Sequence, residues 1–263
     1  MPIGPARMPL IDHLGELRRR MTIIIVSLLA TAIVVYMATP TLIDFMMDPI
    51  RSSLQGSDLA IFSVLGGFTI RFKVALFFGM IICSPIIIWE VMGFFLPALT
   101  ERERKWVVPT VGAMVGLFFL GMVFCYLVIQ KAAIGWMISQ SADVAAIIPD
   151  AVDYLNIMML LEIGFGVAFQ IPIVIFYLSV LHLVPYSTLR SQWRYIYVGL
   201  LVFASVVTPD ASPVTMILMF AALILLYEAA LVVARYVLVA MDGKESLKWT
   251  REQYREHKLE KEA

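Results

Sequence analysis

In this chain of 263 residues, the residues able to do chemistry are glutamates set in two kinds of surroundings. Glu90, Glu162 and Glu228 interrupt long apolar runs, with Gln170 as a polar companion of Glu162. A charge at the centre of a bilayer costs at least ~2.5 kcal/mol, so such residues mark internal pairing or a proton or cation site. Glu90 and Glu228 lie towards one end of their runs and read as ion-paired or hydrogen-bonded structural groups. Glu162 sits well inside its run, with no basic neighbour in sequence. Gln170 lies about 12 Å further along a helix axis and is turned by only about 80°, so the two can share a polar face with Gly164 and Gly166. That face is either a functional groove or internal helix glue.

The second setting is charged. Pro9 to Met21 reads P-L-I-D-H-L-G-E-L-R-R-R-M. Its apolar residues fall at helical spacing opposite a charged face, which predicts a segment lying along the membrane surface before turning inward. Glu16 and Arg20 are spaced to pair along that helix. Phe94 to Lys105 reads F-F-L-P-A-L-T-E-R-E-R-K and joins two apolar runs. Positive charge alone would anchor such a loop, so Glu101 and Glu103 stand out. Carboxylates at a membrane face are suited to gripping a guanidinium bidentately. Other chemistry is poorly served. His13, His182 and His257 form no H-E-x-x-H pair, and neither G-x-S-x-G nor a Walker A sequence occurs. No metal ligand set or cofactor motif emerges, and the reading is not an enzyme. Cys83 and Cys125 lie at different depths of apolar runs and read as packing residues rather than a disulfide.

The elements that must position these groups follow from composition. Apolar residues make up 61% of the chain, charged ones 15%, and the mean hydropathy is +0.88. A soluble globule cannot cover that much apolar surface, so the chain reads as an all-α integral membrane protein. Six apolar runs stand out: Met21 to Thr39, Val74 to Leu99, Trp106 to Ile129, Leu155 to Leu181, Ile196 to Thr208 and Pro213 to Leu238. The fifth is too short to cross a ~30 Å hydrocarbon core upright, which predicts a locally thinned bilayer or a re-entrant hairpin. The 40–72 and 130–154 stretches are expected to form short helices capping the outer face.

Charge sets orientation. With both termini cytoplasmic, 16 of the 20 Lys and Arg residues fall inside, as the positive-inside rule requires. The single membrane domain, 1–263, then divides into a cytoplasmic N-terminus (1–20), a six-helix region (21–238) and a charged cytoplasmic tail (239–263). The net charge of zero gives no reason to expect a nucleic-acid partner.

Several motifs in order bring a resemblance. H-L-x-E-L-R-x-R (His13 to Arg20), F-x-x-P-A-L-x-x-x-E-R (Phe94 to Arg104), F-G-V-A-F-Q-I-P (Phe165 to Pro172), V-V-T-P-D (Val206 to Asp210) and L-Y-E (Leu226 to Glu228) resemble the TatC family. That family is the multispanning core of the twin-arginine protein translocase. The resemblance implies six transmembrane helices in a concave, glove-like arrangement, the fifth and sixth short. It implies a receptor for Arg-Arg signal peptides that organises transport of folded proteins, driven by the proton-motive force. No cofactor is implied. Its partners would be TatA- and TatB-like single-span proteins in a multimeric complex within the prokaryotic inner membrane. The absence of a transit peptide favours that location over a plastid. Carried over residue by residue, the signal-peptide site falls on Glu16, Arg18, Phe94, Pro97 and Glu103. Asp210 matches an outer-face position for partner docking, and Pro49 a proline of the first outer loop. Gln170 stands where many members have an acid, and Lys131 where a proline is common. The alternative is a proton- or cation-coupled carrier of a small solute built on Glu162, against which the spans lack inverted-repeat symmetry.

Overall fold

The protein is represented by a computed structural model, which describes residues 10–51, 60–95, 107–142, 150–180, 184–208, 212–243, 246, 247, 249 and 253. Among these, every regular element is helical, and the pairing of Ala60 with Asp150 is an isolated bridge. In chain order the helices are α1 (Leu10–Tyr36), α2 (Thr39–Arg51), α3 (Gly66–Phe95) and α4 (Val107–Phe124). A π-helical turn (Cys125–Ile129) leads into α5 (Gln130–Ala142). Then follow α6 (Ala151–Ala168), α7 (Ile171–Val180), α8 (Tyr186–Ser191), α9 (Trp193–Val207) and α10 (Pro213–Asp242). Five helical stretches among the described residues are long and apolar enough to cross a membrane, and α9 is a shorter apolar helix.

Several boundaries differ from the sequence reading, each for a physical reason. α1 is one unbroken helix of 27 residues, so from Leu10 onward the N-terminal segment runs into the first span without a turn. Between Leu10 and Tyr36 only Gly15 weakens the helix, and a lone glycine costs about 1 kcal/mol without breaking it. α3 starts at Gly66, earlier than expected, and runs through Pro85. Interior prolines are tolerated in apolar helices where neighbours re-satisfy the freed carbonyl. The 130–142 segment is no separate cap, because α4, the π turn and α5 form one continuous rod. The fourth span, expected to be continuous, breaks at Phe169-Gln170. Pro172 has no N–H to offer the Ala168 carbonyl, and the chain tightens there, with the Gln170 N–H donating to Val167 O at 2.9 Å.

α9 has 15 residues, about 22 Å of rise, in keeping with the short fifth span. The sixth was expected to be short as well, yet α10 has 30 residues. Arg235 does not end it, because a further apolar stretch follows and the helix stops only before Gly243, whose φ of 82° suits glycine. Its start is chemically marked: the Ser212 hydroxyl accepts from the N–H groups of Val214 and Thr215, and Pro213 occupies the first turn.

The chain forms two compact units. One comprises residues 1–117 and 138–160, the other 118–137 and 161–263. In the first, α1 and α3 pack antiparallel. Arg20 meets Glu90 near one end, and Ser27 and Thr31 meet Cys83 further along. The Cys83 thiol lies 3.1 Å from the Thr31 hydroxyl, and neither Cys83 nor Cys125 forms a disulfide. Tyr154 donates to the Met46 carbonyl at 3.0 Å and ties the start of α6 to α2. Asp150 caps α6 by accepting from the Val152 N–H at 2.8 Å.

In the second unit, α10 packs on α7 and α9. Phe165, fully buried, forms an aromatic cluster with Phe124 and Phe169, ring centroids 6.1 and 6.5 Å away. Wide rows of exposed apolar side chains remain, such as Tyr195, Val198, Val202 and Val206 on α9. On an apolar multi-span chain they form the surface that lipid or another helix covers.

Candidate functional site: an arginine held between two carboxylates

α1 presents Glu16 and Arg20 on one face, one turn apart, and the antiparallel partner α3 brings Glu90 to the same level. The Arg20 Nε and Nη2 groups both donate to Glu16 Oε1, at 3.1 and 2.6 Å. Its Nη1 donates to Glu90 Oε2 at 2.9 Å and lies 3.4 Å from the Glu90 carbonyl oxygen. All three guanidinium nitrogens are therefore engaged. The three side chains are only 15–23% exposed, so the pairs gain more than surface ion pairs do. Gly93 makes the fit: a Cβ at that position would stand 2.1 Å from Arg20 Nη1. The opposite oxygen of Glu16, Oε2, is covered and accepts no hydrogen bond from any described residue.

This arrangement differs from the guanidinium grip read from sequence in one respect. Glu16 already holds a guanidinium, that of its own chain, and holds it on a single oxygen. Phe94 follows Gly93 in the last turn of α3 and is half-buried, while Arg18 is exposed on α1. Pro97, Glu103 and Asp210 lie outside the described residues. Pro49 is buried in the last turn of α2.

The apolar-run candidates resolve into separate pairs. Glu228 on α10 is bound by Arg190 at the end of α8, with Nη1 donating to both carboxylate oxygens at 3.1 and 2.9 Å. The Tyr197 hydroxyl donates to it at 2.7 Å, and the adjacent Tyr227 donates to the Leu189 carbonyl at 2.9 Å. The cluster fastens α8, α9 and α10 together. Glu162, 7% exposed, accepts a 2.5 Å hydrogen bond from the side-chain amide of Gln130, itself 1% exposed. Gln170, in the turn between α6 and α7, donates to the Gly166 carbonyl at 3.3 Å.

The broad polar face expected along 162–170 is absent among the described residues. A Cβ on Gly166 would meet the Phe118 ring at 2.7 Å, and one on Gly164 would meet Val207 at 2.6 Å. Those glycines admit apolar neighbours, and the turn at Gln170 removes the regular rotation on which the shared face depended. Gln130, Arg20 and Gly93 are the residues that sequence reasoning passed over as site members. Gln130 carries a signal, as an amide bordering an apolar run, but the apolar run itself ends at Ile129.

Residues 12–221 match the family described as Sec-independent protein translocase protein (TatC). A TatC-like protein of Gracilaria tenuistipitata var. liui is 33% identical over 230 residues, covering 87% of this chain and 94% of that protein. The Sec-independent protein translocase protein TatC of Deinococcus radiodurans is 30% identical over 234 residues, with 88% and 87% covered. A crystal structure of the twin-arginine translocase receptor TatC superposes with a TM-score of 0.73 at 27% identity, covering 85% of this chain and 98% of that one. With a family match across most of its length and an all-helical, multi-span fold shared with a solved member, this chain belongs to the TatC family and is a multi-pass membrane subunit of the Sec-independent protein translocase.

Proposed function

We propose that this chain is the receptor of the translocase. It binds Arg-Arg signal peptides at the cytoplasmic face and organises proton-motive-force-driven transport of folded proteins with TatA- and TatB-like single-span partners. The observation that carries the reading is the α1–α3 site. It is built around a guanidinium, and among the described residues its two carboxylates outnumber their one arginine and one carboxylate oxygen has no donor. Glu16, Arg18, Phe94, Pro97 and Glu103 make up the peptide-binding surface, with Pro49 and Asp210 on the outer side towards the partners. The membrane is the prokaryotic cytoplasmic membrane. The solute-carrier alternative gives way to family membership, and Glu162 faces an amide inside its own unit.

Photocrosslinking tests the reading. A photoreactive residue at 16 or 103 should capture a twin-arginine signal peptide, and one at 58 should not. Absence of capture at both 16 and 103 would remove the receptor assignment.

Orientation is a separate expectation, resting on the 16 basic residues assigned inside. Single cysteines near residues 5, 103, 188 and 255 should be shielded from an impermeant thiol reagent added outside, and those near 58, 143 and 211 should react. Labelling of residue 103 from outside would invert the topology and place the peptide site on the wrong face.

A further inference from the structure

The receptor reading, on which this inference rests, leaves open what distinguishes arginine from lysine in the peptide. We propose that Arg20 is a positioning residue for that choice: it ties down one oxygen of Glu16 and leaves the other for a single guanidinium of the peptide. A carboxylate offers about four acceptor positions on two oxygens. Arg20 takes those of Oε1 with two N–H groups of one fork, 3.1 and 2.6 Å away. Its third nitrogen is anchored on Glu90 at 2.9 Å, so the guanidinium bridges α1 and α3 and fixes the rotation of the Glu16 carboxylate. Among the described residues Oε2 is thereby held with its acceptor capacity unused, and it has almost no exposed surface, so a peptide donor reaches it by displacing what covers it. An ionised acceptor that is covered and unpaired is costly, and a donor arriving there recovers that cost.

Charge gives the stoichiometry. Glu16 and Glu90 against Arg20 leave one negative charge, which one arginine of the peptide neutralises. Lysine would neutralise it equally. A guanidinium, however, can place two N–H groups of its planar fork on one oxygen, as Arg20 does on Oε1, whereas an ammonium is a point donor without a fork. The discrimination therefore depends on Oε2 being held in one orientation, and Gly93 is part of the device because any side chain there would displace the Arg20 fork. Arg20 touches Glu16 and not the peptide.

The test measures binding of an Arg-Arg peptide and its Lys-Lys counterpart to the purified full-length chain and to four variants. Arg20→Gln raises the site's net charge from one negative to two. Simple attraction would then strengthen both peptides, whereas loss of positioning lowers the Arg-over-Lys preference by about tenfold or more without weakening Lys-Lys binding. Arg20→Lys and Gly93→Ala keep the charge and disturb only the fork, and both should lose preference as well. They also keep the proposal testable if Arg20→Gln does not fold. Unchanged preference in the folded Arg20 and Gly93 variants would overturn the positioning role. So would tighter Arg-Arg binding with preference intact in Arg20→Gln, since Arg20 would then merely occupy the site. Glu16→Gln separates the two levels of the claim. If it binds as tightly as the parent, Glu16 does not hold the peptide and the positioning role falls with it; if it alone loses binding, the receptor reading stands without Arg20.

Discussion

Glu16→Ala and Glu103→Ala should each weaken binding of an Arg-Arg signal peptide by roughly thirtyfold or more. Loss of one partner from a desolvated, charge-assisted pair typically costs ~2–5 kcal/mol, whereas an exposed rim pair costs under ~1 kcal/mol. The site around Glu16 belongs to the first class, with its three side chains 15–23% exposed. Removing Glu16 also cancels the site's excess negative charge, because Arg20 and Glu90 then neutralise one another. The variant should nonetheless insert and fold, since Arg20 keeps its 2.9 Å bond to Glu90 across the α1–α3 contact. Binding of a Lys-Lys peptide, weak from the start, should fall by less, because it loses the charge but no fork contact. Equilibrium binding on purified variants decides the matter: an unchanged dissociation constant for Glu16→Ala would reduce that carboxylate to an internal partner of Arg20. The same result for Glu103→Ala would remove the second carboxylate from the site.

Apolar runs alone showed where the helices stand, because burying or lipid-facing stretches of about 20 residues leaves few alternatives. The short α9 and the Ser212-Pro213 start of α10 were readable in the same way, from length and from cap chemistry. What escaped were features that depend on phase and on distant partners. The π turn at Cys125–Ile129 inserts an extra residue into the helix and turns everything beyond it by about 100°, and no residue type announces it. That turn and the continuation to Ala142 make Gln130 an interior group rather than the border of a loop. Pro172 did announce the break before α7, since the residue ahead of a proline avoids helical geometry. Its consequence for Gln170 follows only once the break is placed, because a continuous helix would keep Gln170 in phase with Glu162. The carboxylates of the candidate site were legible as residues, and the Glu16–Arg20 spacing as a pair. Glu90 lies 70 residues from Arg20, so only the antiparallel packing of α1 and α3 shows that the two share a site.

A double-mutant cycle on Gln130 and Glu162 should separate glue from groove. Gln130→Leu leaves the Glu162 carboxyl buried without its 2.5 Å partner, and should destabilise the fold by about 1–3 kcal/mol. Glu162→Leu should do likewise, since it strands an amide that is 1% exposed and whose Oε1 already lacks a partner among the described residues. The double variant replaces both polar groups by apolar ones of similar size, so it should recover much of the loss, because an apolar pair leaves no buried donor or acceptor unmet. The coupling should reach about 1–2 kcal/mol, near the upper end for hydrogen bonds between membrane helices. Reversible unfolding in detergent gives the energies, and transport of an Arg-Arg precursor by the reconstituted complex gives the function. Structural glue requires that the stable double variant still support transport. If the double variant is as stable as the parent and transport is lost, the Glu162 carboxyl itself is needed, and the pair is a functional site within the span. If the two single losses simply add, the hydrogen bond between α6 and the α4–α5 rod holds nothing together, and the polar pair must be kept for another reason.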